Sequence, residues 1–121
     1  MTLIVTSVIG LLVATNTNAD NNIVWTDPWP KTGQQKGTIA VKGTITLDPG
    51  WHVNTSIGIE IWPADGGVQQ FHNISVHDWY SGRDIGDLTS GKNYNVTARV
   101  TVVKMGTYQT LVSVTKQARA K

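Results

Sequence analysis

Apolar and polar residues alternate along most of this chain, and the period is two. In TIAVKGTITL, residues Ile39, Val41, Ile45 and Leu47 share one face, while Ala40, Lys42, Thr44 and Thr46 take the other. Such alternation marks a half-buried strand, because successive side chains of a strand point to opposite faces. SIGIEIW repeats it, with Ile57, Ile59 and Ile61 inward and Glu60 and Trp62 outward. NYNVTARVTVV is the cleanest example, aligning Tyr94, Val96, Ala98, Val100 and Val102. TYQTLVSVT places Tyr108, Val112 and Val114 together. In VQQFHNISV, Val68, Ile74 and Val76 share a phase that Phe71 breaks, which predicts a bulge or an edge strand. NNIVWTDPWPKTG, with two Pro, allows only a short edge strand at Ile23 to Trp25 before a loop. HDWYSGRDIGDL is expected to be an irregular connection with one short strand. DPG and PADGG supply turns between strands.

After residue 19 no helical period appears, so the pattern predicts an all-β antiparallel sandwich of about seven strands over residues 20–121. Composition agrees. The 121 residues include 16 Thr and 14 Val against a single Glu, a balance that suits pleated sheets. A chain of this length buries about two thirds of its unfolded surface, enough for one core without staples. There is no cysteine, which excludes disulfides, thiolate metal sites and thiol nucleophiles.

IGDLTSGKNYNVTARVTVV carries a resemblance more specific than periodicity. Leu88, Gly91 and Tyr94, followed by Val96, Ala98 and Val100, resemble the segment of fibronectin type III and immunoglobulin-like domains that leads into an alternating strand. The resemblance implies a structural tyrosine corner, with the Tyr94 ring in the core and its hydroxyl bonded to backbone just upstream. Gly91 relieves the turn. Ser90 stands where Pro is often found beside the Gly, and the antibody-type cysteine pair is absent. The superfamily mostly serves adhesion, spacing and assembly, although a fold alone does not establish a function.

Chemistry is sparse. His72 and His77 are five residues apart, which on a strand turns them to opposite faces. His77 with Asp78 is the remaining pair of interest, and a surface His beside an Asp is common. Asp48, Asp65, Asp84 and Asp87 fall in turns, where an Asp side chain bonds nearby backbone. No serine-nucleophile motif and no phosphate-binding glycine loop is present. We therefore expect no enzyme activity, no catalytic residues, no cofactor and no metal. A net charge of +2 with scattered Lys and Arg gives no nucleic-acid surface. Five Trp are a heavy load for one domain. Trp51 and Trp79 are expected to plug the core, whereas Trp29 and Trp62 are candidates for an exposed binding face.

The first nineteen residues, MTLIVTSVIGLLVATNTNA, carry no charge. They allow two expectations: a secretory signal, with small residues Thr17 and Ala19 before a cleavage point, or a retained strand. The missing Lys or Arg and the β-branched run favour the strand, built from Leu3, Val5, Val8, Ile9, Leu11, Leu12 and Val13. The run is too short for a stable membrane span. The expected function is a non-catalytic subunit of an extracellular surface assembly, such as a filament or virion decoration, that contacts copies of itself or other subunits. The alternative is a secreted module that holds a glycan or protein through exposed Trp.

Overall fold

The computed structural model describes residues 20–121. The described chain is all-β apart from one short helix. Its elements are β1 (Asn22–Trp25), β2 (Lys31–Thr32), β3 (Ile39–Val41), β4 (Gly43–Thr46), β5 (His52–Val53), β6 (Ile57–Pro63), β7 (Gln70–Ile74), α1 (Val76–Ser81), β8 (Arg83–Ile85), β9 (Asn93–Lys104), β10 (Thr107–Val112) and β11 (Lys116–Arg119).

β9 is the spine of the larger sheet. One edge of it pairs with β6 (Tyr94 opposite Pro63, Arg99 opposite Gly58) and, further along, with β5. The other edge pairs with β10 (Val100 opposite Leu111) and then with β11. β7 closes the sheet outside β6. The second layer holds the β1–β4 pair and the β2–β3–β8 group, with every pairing antiparallel. β3 and β4 are one strand interrupted at Lys42, whose carbonyl accepts from the Thr26 N–H at 3.0 Å. Counting β1/β2, β3/β4, β5/β6 and β10/β11 as interrupted strands, the segments form seven runs among the described residues.

The core lies between the layers. Ile23, Trp25, Ile39, Val41 and Ile85 from one side meet Ile57, Ile59, Ile61, Val96, Ala98, Val100, Val102 and Leu111 from the other. Burial of these residues alternates along β6 and β9, as the period-two pattern requires. Trp51 and Trp79 are both buried, and Trp79 meets Trp25 with ring centroids 5.1 Å apart, tilted by 58°. The Trp79 indole N–H has no hydrogen-bond partner, so the ring serves the core by its shape. Gly43 makes room for it, since a Cβ there would strike the Trp79 ring and the Val24 carbonyl.

Three local expectations are corrected. The stretch after β7 is a helix before it is a strand: Ser75 caps α1 by accepting the Asp78 N–H at 3.0 Å, and Gly82, at φ +96°, ends it. The cap offsets one orphan N–H, and burial of Trp79 does the rest. Val68 and Val76 do not share a strand phase with Ile74. Val68 is exposed in the turn before β7, and Val76 belongs to α1. In the last hairpin the inward phase is Leu111 and Ser113, which leaves Tyr108, Val112 and Val114 facing solvent. Ser113 is drawn inward by two bonds with Ala98: its N–H donates to the Ala98 carbonyl, and its hydroxyl accepts the Ala98 N–H, both at 2.9 Å.

Candidate functional site

The strand residues predicted between Leu3 and Val13 lie outside the described residues. What the structure places is the point where that chain joins the domain. Asn21 is buried there, donating from Nδ2 to Gln109 Oε1 at 2.9 Å and accepting the Asp48 N–H at 2.7 Å. β1 then runs alongside β10 to Trp25, whose indole N–H donates to the Val114 carbonyl at 2.8 Å. β1 makes its ladder with β4, so these side-chain bonds hold it to β10 at the two ends of a seam.

Between the two bonds the seam is open. A cleft of about 400 Å³ is lined by Ile23, Val24, Trp25, Val112, Val114 and Lys116, with Asn22 at its end. Val24, Tyr108, Val112 and Val114 are 45%, 64%, 49% and 66% exposed. The backbone contributes as well. Because the Ser113 N–H points to β9, the alternation of an antiparallel ladder turns the N–H and C=O groups of Val112, Thr110 and Tyr108 outward. An apolar row beside a line of outward-facing amides is the usual template for strand addition.

A second, polar depression lies on the outer face of the β2–β3–β8 group. Lys31, Ala40 and Asp84 stand in register across the three strands. The small Ala40 forms a floor, and Trp29, Gln34, Ser81 and Arg83 help to wall a space of about 380 Å³. The Lys31 and Lys42 ammonium groups approach the Trp29 ring to 4.1 and 4.9 Å from its centroid. Asp84 accepts the Gln34 N–H at 2.9 Å, and Arg83 pairs with Asp78 at 2.8 Å. This pairing holds the Asp78 carboxyl below its ordinary pKa. Trp62 sits elsewhere, half-buried on the outer face of β6 in the larger sheet. Trp29 and Trp62 therefore belong to different layers and do not line one cleft.

At the corner between β8 and β9, Tyr94 is buried and its hydroxyl accepts the Thr89 N–H at 2.8 Å. Leu88 is buried beside it, and Gly91 holds φ +79° while donating to the Ala120 carbonyl at 2.8 Å.

Compared with known proteins, the chain matches no family model and no curated protein.

His72 lies on the edge strand β7, with its ring nitrogen 3.1 Å from Gln70 Oε1, and His77 is exposed on α1. Among the described residues no three metal-ligating side chains gather. None of the described helices is long and apolar enough to cross a membrane. The sequence pattern did not expose the seam. Val112 and Val114 are more apolar than their inward neighbour Ser113, so the alternation alone gives no sign that they face outward. The available signal was the parity of Leu111, which is opposite to theirs.

Proposed function

We propose that this chain is a non-catalytic, immunoglobulin-like or fibronectin type III-like subunit of an extracellular surface assembly, a filament or a virion decoration. The observation that carries this reading is the set of exposed apolar side chains along the β1–β10 seam. Val24 stands on β1, Val112 and Val114 at and just past the end of β10, and Tyr108 is exposed earlier on β10. Such a seam on a lone domain invites association, and a neighbouring subunit is the partner that relieves it. The Tyr94–Thr89 bond at the entry to β9 supports the superfamily, since immunoglobulin-like sandwiches place a tyrosine with this bond at the same corner. β7 lies beside β6 in the larger sheet, where variable-type domains add strands. Light scattering on the full chain over a concentration series tests the proposal. We expect the mass to rise above that of one chain, and a constant single-chain mass overturns it.

The second reading, a secreted binding module, rests on the Trp29 depression. Its aromatic ring, the Lys31 and Arg83 cations and its small Ala40 floor, set against the single Asp84 carboxylate, suit an acidic saccharide. Titration with glucuronic acid, followed by tryptophan fluorescence, should give a saturable change that Trp29→Ala abolishes. An unchanged curve in that variant removes this reading.

A further inference from the structure

We infer that the outward edge of β10 is the acceptor for residues 3–13 of a second copy of this chain, added as a strand along the β1–β10 seam. The inference rests on the assembly reading above and names the partner of that same surface.

Three observations select this occupant. The first is the chemistry of the seam, with apolar side chains of Val24, Val112 and Val114 beside outward backbone groups of Tyr108, Thr110 and Val112. An apolar segment in extended form satisfies both at once, because its amides complete the ladder while alternate side chains cover the valines. The second is the chain itself. Residues 3–13, LIVTSVIGLLV, carry no charge and no Pro, and eight of the eleven are Leu, Ile or Val. Such a segment is costly to leave in water and well suited to a sheet edge. The third is where the chain joins the domain. Asn21 is bonded to Gln109, at the start of β10, whereas Trp25 is bonded to Val114, beyond its end. β1 thus runs parallel to β10, with its first residue at the hairpin end of the sandwich. A copy stacked beyond that end would present its own seam to the segment that precedes β1.

A contact in which the arm of one copy meets the seam of the next uses two different surfaces. It is therefore heterologous, and repeating it builds an open chain of subunits rather than a closed dimer. Residues 14–19 separate the arm from the domain and supply the spacer that such a handover needs.

The absence of cysteine makes the test clean. Full-length Ile9→Cys and Val112→Cys proteins, one carrying a mass label, are mixed under mild oxidation and read by non-reducing mass analysis. The control partner is Val68→Cys, exposed in the turn before β7 on the far edge of the larger sheet. A cross-linked pair between the arm and residue 112, at least tenfold above the Val68 control, is the expected result. A second variant, Val112→Lys in the otherwise native chain, should abolish association while leaving the unfolding midpoint unchanged, since this side chain is already half exposed. Association that persists with no link to residue 112 overturns this inference and leaves the assembly reading standing. A chain that stays monomeric and unlinked overturns both. An internal disulfide formed in the Ile9→Cys/Val112→Cys double variant of a monomeric chain shows the arm folded on its own seam, which also overturns the second-copy occupant.

Discussion

The Tyr94 hydroxyl accepts the Thr89 N–H at 2.8 Å, five residues back along the chain, and so fixes the corner through which the chain passes into β9. The tyrosine ring is buried, so removing only the oxygen leaves the packing and takes the acceptor from the Thr89 N–H. Thr89 is exposed, so water can take its N–H, and Tyr94→Phe should cost about 0.5–1.5 kcal/mol, the usual net worth of one hydrogen bond. Urea unfolding measures it, with the midpoint lowered and the slope unchanged. An unchanged midpoint contradicts the role assigned to this bond.

Gly43 offers a sharper packing test. A Cβ at this position would meet the Trp79 ring on one side and the Val24 carbonyl on the other, and neither can withdraw without disturbing the core or the β1–β4 ladder. Gly43→Ala is expected to destabilise by about 2–3 kcal/mol through overpacking. Gly86→Ala is the control, because nothing lies within 4 Å of its Cβ position. Thermal unfolding of the two variants should separate them clearly, and equal midpoints would show that the contact is soft.

Asp78 carries the pH signature. Its pKa is lowered chiefly by the hydrogen bond from Arg83, with His77 adding to the effect and partial desolvation opposing it. A carboxylate whose folded pKa lies below its unfolded value contributes stability above the unfolded pKa. That contribution is lost as the pH falls through the lowered folded value. Arg83→Gln should therefore move the Asp78 titration midpoint upward, toward an ordinary carboxylate, in a carboxyl NMR titration. Both groups are substantially exposed, so the accompanying change in stability should be small. A midpoint that does not move would assign the shift to another cause.

The fold was legible where one rule governs a strand. β6 and β9 pack one face against the core, so Ile57, Ile59, Ile61 and the Tyr94 to Val102 series could be assigned from alternation alone. The rule fails where a side-chain bond overrides hydrophobicity. Ser113 turns inward because its hydroxyl and N–H replace part of the β9 ladder at the joint between β10 and β11, assisted by the Thr97–Thr115 hydroxyl contact at 2.6 Å. The helix was hidden for a related reason. Six residues are too few to show a period, and α1 depends on the Ser75 cap and the burial of Trp79 rather than on propensity. The candidate seam was legible only in part. The apolar arm is plain in the sequence, whereas the surface proposed to receive it depends on long-range bonds from Asn21 and Trp25 to residues nearly ninety positions away.

Sedimentation velocity of the full chain against its Val24→Lys/Val112→Lys variant tests the central claim most directly, provided intact mass shows residues 1–19 in both. Both positions are exposed, so the variant should fold as the native chain does. The native protein should sediment as a series of oligomers that grows with concentration, and the variant as a single monomeric boundary. Identical distributions for the two proteins would contradict the claim that this edge holds the assembly together.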